Sequence, residues 1–371
     1  MDVTDKRVTF IISSLAGGGT EGVCVNVANG LAEEGWQVDL VVLHLNNAAY
    51  QDRVSKSLNL VVLDVNHALY AGLPLLKYMH NEKPRTVLVF TYELAAMLLM
   101  LRSFFRLKVI IIARNINTLS YKLGQARGFW RKHVVKPIID GFYCKVDHVI
   151  NQCDAMRNDL VAIYPQLADK SSVIYNPVAK HIEDYAKSHD LSEVDKQDYL
   201  LCVGRLEKQK AFHYAIEGFA GLANEFPNLR LKIVGQGSLE HALKQCAVDS
   251  GVADRVDFEG FQKDMIPYYL HANATVLTSL YEGFPNVLVE SITLGTPVVA
   301  LDCPSGPNEI IQDGVNGYLV EYQNVEDFKD KLRQLLSKRF VKTDIQTTVK
   351  QNHVSEVVKT YSKRIESIQP S

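Results

Sequence analysis

Short runs of β-branched and aliphatic residues recur along the first half of the chain, at Arg7 to Leu15, Gln37 to Leu45, Leu58 to Asp64, Thr86 to Thr91, Lys108 to Arg114 and His148 to Gln152. Helical patterns of apolar positions separate them, so strand and helix alternate. Such alternation with short connections predicts a parallel sheet with right-handed crossovers, because each crossover helix must cover a sheet face. The pattern pauses over Lys180 to Asp198, a polar and charge-rich stretch, and restarts at Tyr199 to Gly204, Arg230 to Gly235, Arg255 to Gly260, Ala274 to Ser279, Thr296 to Leu301 and Tyr318 to Val320. The expected organisation is a first α/β domain over residues 1–180, a linker at 181–198, a second α/β domain at 199–353 and a C-terminal helix at 354–371. That last segment carries Val354, Val357, Val358, Tyr361, Ile365 and Ile368 at helical spacing; it reads as an ordinary terminal helix or as one packed back on the first domain.

Composition agrees with two domains. A chain of 371 residues holds two to two and a half domains of about 150. Hydrophobic residues make up 47%, charged residues 22%, and the mean hydropathy is −0.04, which excludes a disordered or fibrous chain. The net charge of −2, from 40 basic and 42 acidic side chains, offers no global attraction for nucleic acid, and no nucleic-acid partner is expected. The 6 cysteines form no Cys-x-x-Cys pair, so neither a zinc site nor a disulfide framework is indicated and a reducing cytoplasm is the expected compartment. The first residues lack the features of a signal peptide. The longest apolar stretch, Thr86 to Leu101, is interrupted by Glu93 and falls short of the roughly 20 residues that span a bilayer, so no transmembrane helix is predicted.

Three segments carry candidate chemistry. After the first strand, Gly17, Gly18 and Gly19 stand before a helix expected at Gly22 to Glu34. Without Cβ atoms the backbone N–H groups and the positive helix terminus can approach a phosphate or a sugar; a tight turn needing positive φ is the other reading. The strand Leu200 to Gly204 ends in a loop that carries Arg205 and Lys210 ahead of a helix expected from Phe212. Loops at the carboxyl ends of parallel strands bind ligands, and two cations there suit a diphosphate, although either alone reads as a solvated loop charge. The third segment runs from Glu282 to Glu290 through Phe284, Pro285, Asn286, Val287 and Leu288. A helix starting near Pro285 puts Glu282 on the preceding loop and Glu290 in the second turn, with the amides of Asn286 to Leu288 turned to an anion. The two glutamates then serve a sugar and a ribose; unrelated surface glutamates are the plainer alternative.

With Cys303-Pro304-Ser305-Gly306-Pro307-Asn308-Glu309-Ile310-Ile311, these segments make the chain resemble a glycosyltransferase of family 4 with the GT-B fold, two facing Rossmann-like domains with parallel sheets. The resemblance spans nearly the whole chain. It implies that Arg205 and Lys210 bind the donor diphosphate, that Glu282 contacts donor-sugar hydroxyls, that Glu290 holds the ribose, and that Phe284 to Leu288 supply backbone contacts. Arg205, Lys210 and Glu282 are thus the expected catalytic set. It also implies transfer with retention, no metal and no cofactor beyond the nucleotide sugar as co-substrate. Retention in such enzymes is explained by front-face attack, in which the leaving diphosphate helps take the acceptor proton, and not by the paired carboxylates of many glycosidases. The string at Ser305 to Glu309 resembles users of UDP-sugars, so a UDP-hexose or UDP-N-acetylhexosamine is the expected donor. One position departs from the family pattern. Asn115 stands where relatives often carry a histidine, which suits hydrogen bonding to donor or acceptor and not proton transfer. Glu93 is a candidate for a missing carboxylate, or simply a charge at a helix N-terminus.

Between Glu93 and Asp140 no acidic residue occurs, while Arg102, Arg106, Lys108, Arg114, Lys122, Arg127, Arg131, Lys132 and Lys136 do. Leu98 to Leu101, Phe104, Phe105, Phe129, Trp130, Val134 and Val135 interleave with them. That mixture suits a surface lying on anionic lipid headgroups at the inner face of the membrane; core residues beneath a solvated basic face are the alternative. Peripheral attachment fits a lipid-linked saccharide acceptor such as a polyprenyl-diphosphate-linked glycan, with lipopolysaccharide core as another acceptor and GDP-mannose as another donor. Phosphorylase-like and epimerase-like GT-B enzymes fit less well, the first for want of length and the second for want of the Arg205, Lys210 and Glu282 to Glu290 set. A noncatalytic sugar- or lipid-binding module predicts that Lys210→Ala leaves cellular glycan unchanged.

Overall fold

The computed structural model describes residues 6–116, 118, 120 and 136–369. The chain forms two compact units, Met1–Ala179 with Val354–Ser371, and Lys180–His353.

The first unit is built on strands β1 (Arg7–Ile12), β2 (Gln37–Val42), β3 (Asn59–Val62), β4 (Thr86–Val89), β5 (Ile110–Arg114), β6 (His148–Asn151) and β7 (Ser171–Val173). They pair in the order β3-β2-β1-β4-β5-β6-β7, every pair parallel. Helices α1 (Gly19–Glu33), α2 (Gly72–Glu82), α3 (Tyr92–Phe105), α4 (Lys136–Tyr143) and α5 (Asp154–Ile163) alternate with the strands. Side chains on a strand point alternately to the two faces, and both faces here are apolar. Val8, Phe10 and Ile12 turn toward one buried cluster, which includes Val23, Val27 and Leu31 of α1; Ile11 turns toward the other, with Leu75 of α2 and Leu94 and Leu98 of α3.

The C-terminal helix α14 (Val354–Ile368) completes the first of these clusters with Val357, Val358, Tyr361 and Ile365. It lies so close to α1 that a Cβ on Gly30 would fall 2.3 Å from Val358 Cγ2. Trp36 Nε1 donates to Ser362 Oγ at 3.1 Å, and Arg114 Nε donates to Tyr361 Oη at 2.7 Å. The amphipathic tail is thus a wall of the first core, the second of its two readings.

The second unit carries β8 (Tyr199–Val203), β9 (Arg230–Val234), β10 (Val256–Gly260), β11 (Ala274–Leu277), β12 (Val298–Leu301) and β13 (Gly317–Val320), all parallel in the order β10-β9-β8-β11-β12-β13. Its helices are α6 (Lys180–Ser188), α7 (Phe212–Leu222), α8 (Glu240–Asp249), α9 (Ile266–His271), α10 (Asn286–Thr293), α11 (Pro307–Ile310), α12 (Val325–Ser337) and α13 (Lys342–Thr347). Cys202, Ile233, Val276 and Val299 pack with Phe212, Ile216 and Phe219 of α7 and Phe328 and Leu332 of α12.

Two features differ from the sequence expectation. Residues 181–198, expected as a linker with few contacts, begin inside α6, whose Ile182 and Glu183 are buried and which packs against α10. A single isoleucine in a charged helix gives no apolar period to detect, yet the helix is part of the second unit. Strand β7 is equally silent in sequence, because Ser171 and Ser172 are polar and the strand pairs only with β6 at the sheet edge.

Candidate active site

In each sheet the strand order reverses once, between β1 and β4 in the first and between β8 and β11 in the second. Connections leave in opposite directions at such a point, and the carboxyl ends of the two strands frame a crevice where open α/β sheets bind ligands. The loops after β8 and β11 carry the Gly204 to Lys210 and Ser279 to Glu290 segments, so the second switch point collects most of the expected residues.

Lys210 closes a 3₁₀ turn, Lys208–Lys210, ahead of α7. Its Nζ lies 2.6 Å from Glu282 Oε1, with side-chain exposures of 15% and 8%. A pair this sheltered feels a lower dielectric than a surface salt bridge, so each charge depends on the other for compensation. Gly204 makes the approach possible. Its φ is +151°, and a Cβ there would stand 2.9 Å from Lys210 Cε. The two loops are further stitched through backbone and side chain: Leu280 N donates to Gln209 O at 2.8 Å, and Thr278 Oγ1 donates to Lys210 O at 3.0 Å. Arg205, by contrast, extends from the same loop as an exposed side chain.

Glu282 is held from two more directions. The fully buried Ser279 donates to Oε1 at 2.5 Å, and Ser305 Oγ donates to the Glu282 backbone carbonyl. Cys303 is buried nearby, and desolvation with the Glu282 charge pushes its thiol up to about 12, so it stays protonated at neutral pH. Cys303 and Ser305 belong to the Cys303 to Ile311 string already singled out in the sequence, whereas Ser279 is marked by nothing beyond proximity to the glutamate motif.

Helix α10 starts at Asn286 with Pro285 at its cap, one residue from the expected position. Phe284 is buried and Leu288 is fully enclosed. The Leu288 N–H donates to Pro285 O at 3.0 Å, so this amide closes the first turn and does not face a ligand, a correction to the expected set of Asn286, Val287 and Leu288. Glu290 sits in the second turn, where Tyr269 Oη donates to its Oε2 at 2.8 Å. Tyr269 is fully buried, and desolvation together with the Glu290 charge drives its phenol well above the ordinary range, which fixes it as the donor. Tyr269 comes from α9, 21 positions away, and no motif announces it.

A second glycine segment also belongs here. Gly235 has φ +144°, and a Cβ on it would fall 1.9 Å from Gly204 O, while one on Gly237 would fall 2.4 Å from Leu206 O. The loop after β9 therefore lies backbone to backbone on the Arg205 loop. Leu206 N donates to Gln236 O at 2.9 Å, and the Glu207 carboxylate accepts from Ser238 N and Oγ.

In the first unit the Gly17 to Gly19 turn follows β1 at the other switch point. Helix α1 starts at Gly19, three residues before the expected Gly22, with Gly18 as its cap and Gly17 at φ +105°. The earlier start follows from the Gly22 N–H bonding to Gly18 O at 3.0 Å. Asn115, beyond β5, is buried; its Nδ2 donates to Asn151 Oδ1 at 3.2 Å, within a polar network at the carboxyl end of the sheet. Glu93 is exposed in the first turn of α3, where Thr91 Oγ1 accepts from Leu94 N. Its position is that of a helix N-terminal charge.

The basic segment divides. Leu98 and Leu99 are fully buried in the core, which corrects their expected surface role, and Arg102 pairs with Asp147. Phe104 and Phe105 are 72% and 56% exposed. Phe104 lies 5.7 Å from the Phe142 ring, and Lys145 Nζ lies 4.8 Å over that ring. Lys122, Arg127, Phe129, Trp130, Arg131, Lys132, Val134 and Val135 lie outside the described residues. Among the described residues no helix is long and apolar enough to cross a membrane.

Residues 17–180 match the family model described as Glycosyltransferase Family 4, and residues 185–352 match Glycosyl transferases group 1. An uncharacterized glycosyltransferase of Haemophilus influenzae is 26% identical over 340 residues, 90% of this chain and 91% of that protein. The amylovoran biosynthesis glycosyltransferase AmsD of Erwinia amylovora is 26% identical over 339 residues, again 90% and 91% of the two chains. The crystal structure of Anabaena Alr3699/HepE in complex with UDP superposes with a TM-score of 0.78 at 16% identity, covering 97% of this chain and 100% of the other. Two parallel Rossmann-like sheets, each with its loops at the switch point, and two adjoining family domains, Glycosyltransferase Family 4 and Glycosyl transferases group 1, place this chain among the GT-B glycosyltransferases.

Proposed function

We propose that this chain is a retaining, metal-independent glycosyltransferase that moves a hexose or N-acetylhexosamine from a UDP-sugar to a membrane-anchored saccharide in polysaccharide, O-antigen or glycan assembly. The observation that carries the reading is the Lys210–Glu282 pair, 2.6 Å apart at the switch point of the second unit. An ammonium has three N–H donors, so Lys210 keeps donors for phosphate oxygens while one meets Glu282. In the transition state charge moves from the glycosidic oxygen onto the departing diphosphate. Lys210, with the exposed guanidinium of Arg205, stabilises that charge, while Glu282 orients the sugar hydroxyls. Glu290, fixed by Tyr269, accepts from the ribose hydroxyls. Proton removal from the acceptor falls to the leaving diphosphate itself, on the face from which it departs.

The UDP choice is supported by the Ser305 to Glu309 string and by the UDP found in the HepE complex. The polysaccharide context is supported by AmsD, a protein of amylovoran biosynthesis. For the membrane side, the exposed Phe104 and Phe105 beside Phe142 and Lys145 offer an aromatic and cationic surface of the kind that lies on anionic headgroups.

The test is nucleotide release from a panel of UDP- and GDP-sugars in the presence of a chelator, with a polyprenyl-diphosphate-linked saccharide as acceptor and the anomeric configuration of the product read by NMR. UDP release with retained configuration is expected. Turnover with GDP-mannose alone would replace the donor, inversion would remove the front-face mechanism, and transfer only to lipopolysaccharide core would replace the acceptor. Flotation with anionic vesicles, weakened by salt, is expected for the membrane contact.

A further inference from the structure

On the opposite edge of the second sheet, where β8, β9, β11 and β12 begin, lies a cavity of about 490 Å³ lined by Lys196, Phe226, Lys338, Arg339, Phe340 and Lys342, among others. Lys196 is the unusual member. Its Nζ donates to Leu270 O at 2.8 Å and to Thr296 Oγ1 at 2.5 Å. Thr296 uses its own proton on Tyr269 O at 2.7 Å, so toward Lys196 it can only accept. Two acceptors match the two N–H bonds of a neutral amine and leave its lone pair for the cavity. Burial, reinforced by the charge of Lys342, pulls the Lys196 ammonium down to about 7, so much of it is neutral at physiological pH. Lys342 itself is held by the carbonyls of Leu191, Ser192 and Val194. Of the acidic residues in the wall, Glu225 is engaged by Arg333 at 2.8 Å and Asp198 is exposed.

We propose that Lys196 is a nucleophilic lysine, acylated by acyl phosphates that enter this cavity with their phosphate toward Lys338 and Arg339. The amine nitrogen attacks the acyl carbon, the N–C bond forms as the C–O bond to phosphate breaks, and the amine proton leaves with the phosphate as hydrogen phosphate. The products are an amide at Lys196 and one inorganic phosphate. A desolvated lysine beside other cations is the general setting for an activated amine. The modification also has a route to the candidate active site. Lys196 anchors Thr296 and Leu270, Thr296 holds Tyr269 O, and Tyr269 holds Glu290. An amide keeps one N–H and so gives up one anchor. This last consequence rests on the reading of Glu290 as a nucleotide ligand.

The experiment treats the full-length protein with acetyl phosphate at pH 7.5, native and in urea, and quantifies acetylation of every lysine by peptide mass spectrometry. In the native protein Lys196 is expected at least about fivefold above the median lysine, and at the median in urea. A native occupancy at or below the median overturns the proposal, as does the same preference in urea, which would place the cause in local sequence. In the Lys338→Ala/Arg339→Ala variant the native preference is expected to fall at least about threefold; an unchanged preference would overturn the acyl phosphate assignment. Separately, Lys196→Gln is expected to weaken UDP binding about threefold by calorimetry. Unchanged UDP affinity would overturn the link to Glu290, whereas a wild-type protein that binds no UDP would overturn the functional reading and leave the labelling result standing.

Discussion

Lys210 and Glu282 stand 72 residues apart in sequence and 2.6 Å apart in the fold, on the two loops that flank the strand-order reversal of the second sheet. Each is sheltered enough that losing one leaves the other as a poorly solvated charge. Lys210→Met or Glu282→Gln is expected to lower turnover by on the order of 10²–10³, and Lys210→Met to cost about 3 kcal/mol of stability. The double variant should unfold with a smaller loss than the sum of the singles, read by urea titration. Additive losses would mean that the pair is not coupled.

The hydroxyl of Tyr269 does one identifiable thing, donating to Glu290. Tyr269→Phe is expected to weaken UDP binding about five- to tenfold, roughly 1–1.4 kcal/mol and less than the full worth of the hydrogen bond because Glu290 itself stays in place, with kcat changed less than affinity. Titration calorimetry against UDP checks it. Equal affinities for the variant and the parent would separate Glu290 from the nucleotide.

His148 gives a pH dependence with a definite sign. Burial, with a smaller contribution from Arg364, lowers its imidazolium from 6.5 to about 4, and its Nε2 lies 2.8 Å from Ser172 Oγ. The unfolded chain therefore holds the extra proton between these two values. Stability rises with pH across this window, is complete above about 6.5, and is lost as pH falls toward 4. The contribution is roughly 3 kcal/mol. Urea unfolding at pH 4.5 and 7.5 should show the His148→Gln variant with a correspondingly shallower acid loss; an identical slope would assign the acid sensitivity elsewhere.

Gly30 and Val358 make a packing prediction. Alanine at Gly30 would gain helix propensity yet place its Cβ 2.3 Å from Val358 Cγ2, an overlap that costs about 1–3 kcal/mol if the helices are to stay in contact. Gly30→Ala should lower the melting temperature, and Val358→Ala added to it should recover part of the loss. A Gly30→Ala variant as stable as the parent would show that α14 can be displaced without penalty.

The strands are legible in sequence because parallel strands buried on both faces must be continuously apolar, and Val8 to Ile12 or Val298 to Leu301 are hard to read otherwise. The candidate site is legible where chemistry and backbone geometry coincide, at Gly204, Lys210, Glu282 and Glu290. What stays hidden is support at long sequence distance. Tyr269 is an ordinary residue that becomes meaningful only once the fold brings its hydroxyl to the Glu290 carboxylate. Leu288 shows the converse, since its place in the motif suggests a ligand-facing amide and the first helical turn consumes it. The helix at Lys180–Ser188 escapes for a different reason: a charged segment with one buried isoleucine has too little apolar contrast to distinguish it from a tether.

The return of α14 to the first unit imposes an order on biosynthesis. The first sheet, α1 and the helices of its other face leave the ribosome early, but Val23, Val27 and Leu31 lack their closing wall until the residues after His353 emerge. At 5–20 residues per second, synthesis of the intervening unit occupies roughly 9–35 s. Throughout that interval the nascent N-terminal half carries an open apolar seam that the finished protein no longer displays.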